Sequence, residues 1–219
     1  TWMMLIGSLL MGLLALHLWH LLHERLFLFM ALAALAHTVR LGLSVSLEPP
    51  LSFEWYFLLH RLALTWYVGF FYLAVAELLA IRTRWVHYSV WFLIACAPLW
   101  LGWTLWTQDY DYLRLWSGFL VACGVALLLN LLWQAWRSAK LGADQMVVLM
   151  LATFITLTGV RDFLVVKLGL PGDPNVRWTT LGSLALMFAL AWVLTLRATA
   201  STREVHRLNQ ALAGILATR

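Results

Sequence analysis

The sequence WTTLGSLALMFALAWVLTL, residues 178–196, decides the fold together with the polar segment that follows it. The apolar part has the length that an α-helix needs to cross a bilayer. It continues, with no Pro, into RATASTREVHRLNQALAGILATR, residues 197–219. Here apolar or small residues recur at alternating spacings of four and three, as in the seam of a coiled coil. The seam consists of Leu194, Ala198, Ser201, Val205, Leu208, Leu212 and Ile215.

Two interpretations of this C-terminal segment are open. In the first, one rigid helix leaves the bilayer and pairs with a copy of itself, so that the chain is a homodimer through its C-terminal helix. In the second, the segment is an amphipathic tail that lies on the membrane surface. We adopt the first, in which residues 1–197 form a seven-helix transmembrane domain and residues 198–219 begin a cytoplasmic coiled-coil linker.

The composition indicates a membrane protein. Of 219 residues, 63% are hydrophobic and 11% are charged, and the mean hydropathy is +0.83. A soluble protein of this size needs a more polar surface than this composition supplies. The basic residues lie between apolar spans, where charge sets topology, so the pI near 9.6 does not indicate nucleic acid. The expected partner is the lipid bilayer.

Seven stretches have the length of membrane-spanning helices. They are approximately residues 2–22, 26–47, 53–81, 85–106, 113–135, 145–168 and 178–197. The connections between them are short, so that consecutive helices are antiparallel neighbours. The predicted fold is therefore an all-α membrane protein, a seven-transmembrane helix bundle.

The basic residues also predict the orientation of the bundle. Nine lie on one side, against three on the other. The nine are Arg25, Arg82, Arg84, Arg137, Lys140, Arg197, Arg203, Arg207 and Arg219, and the three are Arg114, Lys167 and Arg177. Cytoplasmic loops carry the excess of Lys and Arg. We therefore expect the N-terminus outside, the C-terminus inside, and a bacterial inner membrane as the location.

Ionisable residues inside the spans are costly in lipid, and each is therefore a functional hypothesis. The helix rise of about 1.5 Å per residue places those of the second, third and sixth spans at similar depth, in the outer half. We predict that they form an outer polar chamber for a small anionic or lipid ligand, because guanidinium groups bind anions through paired hydrogen bonds. The predicted residues are His37, Arg40, Glu54, His60, Arg61, Arg161 and Asp162.

Other interpretations of these residues remain open. The Arg and Asp side chains can form an interhelical brace without a ligand. His37 and His60, at comparable depth in adjacent spans, are the pair that haem b ligation would need. We expect no cofactor, no metal site and no catalytic residue in this segment, since phosphate-loop, zinc-protease and nucleophile-elbow motifs are absent from the sequence. Cys96 and Cys123 are interpreted as packing residues.

The layout resembles that of the bacterial seven-transmembrane receptors with diverse intracellular signalling modules. The resemblance lies in LLHERLFLFMALAALAHTVRLGL, residues 21–43, where a basic turn links two spans, and in REVHRLNQALAGIL, residues 203–216. The second stretch is similar to the linker before a histidine kinase or diguanylate cyclase module. The resemblance implies an outer sensory domain before Thr1 and an output enzyme after Arg219.

The predicted function is that of a sensory domain, which passes a periplasmic or intramembrane signal through its seventh helix to a cytoplasmic output module. The alternative is a membrane electron carrier with haem b, or a small transporter, without an output module.

Overall fold

The computed structural model describes residues 2–45, 52–80, 84–109, 111–138 and 142–171, and residues 182, 191–193, 195–196, 199, 207 and 209–210. In the first five ranges the chain forms six α-helices. They are α1 (Trp2–Leu22), α2 (Arg25–Val45), α3 (Phe53–Leu78), α4 (Arg84–Thr107), α5 (Asp111–Ser138) and α6 (Ala143–Leu168). All six are long and apolar enough to cross a membrane.

These helices confirm six of the seven predicted spans, and each bound agrees with the prediction to within three residues. The ends follow local backbone chemistry. Helix α1 ends before His23, which adopts a positive φ of 56°, and two residues separate α1 from α2. At the end of α6, Gly169 has a φ of 67°, a conformation that glycine adopts without steric cost, and Pro171 follows.

The seventh predicted span and the coiled coil lie largely outside the described residues. Within the span, Gly182, residues 191–193 and residues 195–196 are helical. Beyond it, Thr199, Arg207 and residues 209–210 are helical too. All seven residues of the predicted seam fall outside the described part of the chain. The seventh span, the orientation of the bundle and the coiled coil therefore stay predictions.

Helix α3 is the central helix of the described bundle. It packs against α2 and α4 over much of their length and also contacts α5 and α6, whereas α1 packs against α2. The main core cluster joins residues of α1 to α6 and includes Val193 of the seventh segment. Phe27, Phe71 and Leu131 are among its largest fully buried side chains.

Small residues allow the helices of this core to approach one another closely. The Ser8 hydroxyl on α1 donates a hydrogen bond of 2.9 Å to the Ala34 carbonyl on α2. Gly69 on α3 faces Ile94 of α4 so closely that a Cβ at residue 69 would lie 2.7 Å from Ile94 Cγ1. At Ser8 and at Gly69, a side chain of one helix therefore lies directly against the backbone of its neighbour.

Candidate ligand-binding cavity

A cavity of about 520 Å³ lies between α2, α3, α5 and α6. Its size is typical of small-molecule sites. Along α3 its lining extends from Tyr56, near the start of the helix, to Tyr72. We call the end of the bundle at which α2 and α6 finish and α3 and α5 begin the α3-start end. The cavity therefore reaches from this end to the interior of the bundle.

The charged part of the lining comes from three helices. Arg40 lies five residues before the end of α2, His60 and Arg61 lie within the first nine residues of α3, and Asp162 lies six residues before the end of α6. The structure thus brings four of the seven residues predicted for the outer polar chamber to one cavity. They meet there because consecutive helices are antiparallel, which puts these helix ends on the same side.

Arg161 and Asp162 form an ion pair that has consequences for the brace interpretation. Arg161 Nη1 donates to Asp162 Oδ1 at 3.0 Å, and the carboxylate side chain is 8% exposed. The two residues are neighbours on one helix, so this pair does not connect two helices. It partly neutralises the only carboxylate in the described lining of the cavity.

His37 and Glu54 occupy different places from the other predicted residues. His37 is 3% exposed, and its ring stacks on Tyr67 with the ring centroids 4.7 Å apart. Neither of its ring nitrogens has a hydrogen-bond partner among the described residues. Tyr67 lines the cavity, and His37 therefore lies behind the described wall rather than in it. Glu54 is exposed and accepts a hydrogen bond of 3.0 Å from the Ser52 hydroxyl.

The two histidines of the proposed haem pair have different neighbours. His60 lines the cavity and stacks on Tyr56, with the ring centroids 6.3 Å apart. His37 stacks on Tyr67.

Among the described residues, there is no group of three or more His, Cys, Asp or Glu side chains that is placed to hold a metal ion.

The deep end of the cavity contains a cluster that the sequence did not predict, which we call the hydroxyl node and define by Tyr72, Gly124 and Thr156. The Tyr72 hydroxyl is 2.8 Å from the Gly124 carbonyl of α5 and 2.7 Å from the Thr156 hydroxyl of α6. Thr156 is also 2.8 Å from the Ala152 carbonyl. Two hydroxyl protons serve three contacts, so only two of the three can be hydrogen bonds at one time.

The hydroxyl node therefore has three arrangements, which differ in the directions of the two hydroxyl protons. In the first, Tyr72 donates to Gly124 and Thr156 donates to Tyr72. In the second, Tyr72 donates to Thr156 and Thr156 donates to Ala152. In the third, Tyr72 donates to Gly124 and Thr156 donates to Ala152. Only the first arrangement joins α3, α5 and α6 by hydrogen bonds, because the Gly124 carbonyl can only accept and Tyr72 has a single proton to donate.

Trp116 forms a second connection that the sequence analysis attributed to no site. Its indole nitrogen donates to the Thr65 hydroxyl at 3.1 Å, and this hydroxyl donates to the Arg61 carbonyl at 3.0 Å. All three residues line the cavity. The hydrogen bond from Trp116 on α5 to Thr65 on α3 thus stabilises the helical turn that carries Arg61. A lone Trp near the end of an apolar span gives no signal of this role, because interfacial Trp is common.

Comparisons of the chain with protein-family models, with curated proteins and with solved structures found no match. The cavity offers two guanidinium groups and an imidazole near the α3-start end, a mostly apolar middle section and two hydroxyls at its deep end. Such a set of groups binds and orients a small molecule.

Proposed function

We propose that this chain is the membrane-embedded sensory domain of a signalling receptor in the bacterial inner membrane, with the α3-start end towards the periplasm. A small anionic or lipid ligand binds in the cavity and biases a helix bundle that has two states. The seventh helix shifts in response, and a coiled coil between two copies carries the shift to a cytoplasmic output module. That module is a histidine kinase or a diguanylate cyclase, as the resemblance implies.

The observation that carries this proposal is that the cavity and the seventh segment are in contact with the same helix. A Cβ at Gly182 would lie 2.9 Å from Thr158 Oγ1 and 3.4 Å from Ile155 Cγ1 on α6. Ile155 lines the cavity on its other side. A ligand that displaces α6 therefore displaces a helix that is in direct contact with the seventh segment at Gly182.

A second contact supports transmission over the length of the seventh segment. Val193 is 2% exposed and packs in the main core cluster, eleven residues after Gly182. In the proposed seventh helix, an interval of eleven residues would correspond to about 16 Å. The segment is therefore in contact with the bundle at two separate levels, and a small displacement at one level tilts or translates the rest. Helix shifts of about 1–2 Å are a common form of such transitions.

The test measures whether a change in the cavity moves the seventh segment. Spin labels are attached to Ser89→Cys on α4 and Thr199→Cys beyond the seventh span, both exposed positions, after Cys96 and Cys123 are replaced by Ala. The distance between the labels is measured by pulsed electron paramagnetic resonance in lipid nanodiscs. Arg61→Ala removes a charge from the lining, and we expect it to shift the distance by about 1–2 Å or to change the weights of two populations.

Two further variants make the result decisive. Arg137→Ala removes a charge of the same kind from an exposed position at the opposite end of α5, and its distance distribution should match the parent. Gly159→Leu replaces Arg61→Ala if the latter fails to fold, because a Cβ at this cavity-lining position meets no atom within 4 Å. Identical distributions for the parent, both cavity variants and the control would overturn the proposal.

In the intact receptor, Arg61→Ala and Arg161→Ala should each change the activity of the output module. Unchanged activity together with unchanged stability would contradict a sensory role of the cavity.

A further inference from the structure

The cavity shows a gradient of polarity along its length that restricts the kind of ligand it accepts. Its charged side chains lie near the α3-start end, and its two deepest hydroxyls belong to Tyr72 and Thr156. Between these regions the lining is formed largely by branched aliphatic side chains, among them Leu64, Val68, Leu120, Val121 and Val160. We propose that the cavity binds a single-chain anionic amphiphile, with its acidic head at Arg40 and Arg61 and its alkyl chain directed towards Tyr72. This proposal deepens the sensory function proposed above and rests on it for the role of the cavity as a ligand site.

The charge of the lining favours an acidic head group. Arg40 and Arg61 contribute two positive charges, and Asp162 contributes the only negative charge of the described lining. The Asp162 carboxylate already contacts Arg161 at 3.0 Å. Guanidinium groups bind carboxylates and phosphates through paired, charge-assisted hydrogen bonds, so two arginines in the lining favour an acidic head group.

The middle section excludes a small inorganic anion as the complete ligand. A small ion bound at the arginines would leave the apolar volume empty or force water into it, and both are unfavourable for an apolar cavity. An alkyl chain fills this volume with contacts like those of the surrounding side chains. The head group then supplies the discrimination, because an alkyl chain in the bilayer already has apolar surroundings.

The distance from the charged region to the hydroxyl node sets the length of the chain. Tyr72 follows Arg61 by eleven residues on α3, and Thr156 precedes Asp162 by six residues on α6. At about 1.5 Å per residue these intervals are about 16 Å and about 9 Å. An extended alkyl chain advances about 1.3 Å per carbon, given a bond of about 1.5 Å in a zigzag. Chains of about seven to twelve carbons therefore fit.

The experiment measures binding of ten-carbon probes to the protein in phosphatidylcholine nanodiscs by isothermal titration calorimetry, with empty nanodiscs as the reference for partition into lipid. Decanoate should bind saturably and at least about ten-fold more tightly than decanol, which has the same chain without the charge, and than acetate, which has the same head without the chain. Decyl phosphate distinguishes a phosphate monoester from a carboxylate as the head that the site prefers. Equal affinity for decanoate and decanol, or decanoate heat no greater than with empty nanodiscs, would overturn the proposal.

Two matched pairs of variants locate the binding. Arg61→Gln should weaken decanoate binding at least about ten-fold, whereas Arg137→Gln should leave it unchanged. Gly159→Leu should abolish binding by filling the cavity, whereas Gly102→Leu should not, since residue 102 also has no atom within 4 Å of a Cβ and does not line the cavity. Gly159→Leu remains informative even if Arg61→Gln does not fold. Parent-like affinity in Gly159→Leu would contradict the assignment of the cavity.

The outcomes separate this inference from the proposed function. If decanoate fails to bind while Gly159→Leu moves the spin label at residue 199, the ligand class is wrong and the sensory role stands. If decanoate binds with the predicted variant pattern and the label does not move with or without it, the cavity is a ligand site and the sensory role is wrong.

Discussion

The two sides of α3 differ in how closely they approach their neighbours. Towards α4 the contact is tight, because a Cβ at residue 69 would lie only 2.7 Å from Ile94 Cγ1, and towards α2 it is extensive, although Arg40 near the end of α2 also lines the cavity. On the side of α5 and α6 the contact is smaller, and the cavity of about 520 Å³ lies there. A single helix thus takes part in both a closed and an open interface.

The difference between the two interfaces lies in what their small residues face. In the closed interface Gly69 faces the side chain of Ile94, and the contact of α1 with α2 is close in the same way, since a Cβ at residue 12 would lie 3.4 Å from that of Ala34. Without a hydrophobic driving force between helices in lipid, close packing of this kind is what holds them together. In the open interface a Cβ at Gly159 would meet no atom within 4 Å, and hydrogen bonds connect the helices at two levels, those of Tyr72 and Trp116.

The largest expected effect tests the closed interface. Gly69→Ala should lower the free energy of unfolding by about 1–3 kcal/mol, because the new methyl group overlaps Cγ1 of Ile94, a buried side chain that would have to move. The measurement is reversible unfolding by sodium dodecyl sulfate in mixed micelles. Gly102→Ala is the matched control, since no atom lies within 4 Å of its Cβ position, and it should change stability by less than about 0.5 kcal/mol.

A double-mutant cycle identifies the cause of that loss. Ile94→Ala removes the Cγ1 atom with which the new methyl group would collide. The cost of Gly69→Ala should therefore fall by about 1 kcal/mol or more in the Ile94→Ala background. An equal cost in both backgrounds would show that the close approach to α4 is not what limits residue 69.

The next effect tests the connection across the open interface. Tyr72→Phe removes the hydroxyl that contacts Gly124 and Thr156, and it should lower the free energy of unfolding by about 0.5–1.5 kcal/mol. The loss is nearer the lower value if this hydroxyl also finds hydrogen-bond partners in the unfolded state. Thr156→Val in the same background should add less than its own single cost, because each variant removes the same shared hydrogen bond. Tyr88→Phe, at an exposed position of α4, is the control and should be neutral. Strict additivity of the two node variants would contradict a shared hydrogen bond.

The sequence predicted the helices well because charged residues separate the apolar runs and the runs have the length of the bilayer. It also predicted that Arg40, Arg61 and Asp162 come together, since antiparallel neighbours place these residues at similar depth. It did not predict Tyr72 and Thr156, because an uncharged hydroxyl in an apolar span costs little and gives no distinct signal. The bond between Arg161 and Asp162 was not distinguished from an interhelical one, because spacing alone does not show which way a long side chain bends.

The rotation of each helix about its axis was the least predictable feature. In a bilayer both the lipid-facing and the core-facing sides of a helix are apolar, so that periodicity distinguishes them poorly. His37 illustrates this. Arg40 follows it by three residues, a spacing at which side chains are neighbours on a helix surface, yet Arg40 lines the cavity while His37 lies behind Tyr67.

The smallest expected effect concerns His37, and it has the opposite sign. The imidazole is 3% exposed, and its two nitrogens lack hydrogen-bond partners among the described residues. Burial therefore removes the hydrogen bonds of these nitrogens with water, and no hydrogen bond to a described residue replaces them. His37→Phe keeps a ring against Tyr67 and removes both polar atoms. It should raise the free energy of unfolding by up to about 1 kcal/mol, the part of the desolvation cost that remains after the larger ring is accommodated. His17→Phe, at an exposed position of α1, should change stability by less than about 0.5 kcal/mol. If His37→Phe and the smaller His37→Ala both destabilise the protein by more than about 1 kcal/mol, the imidazole contributes to stability and the prediction is wrong.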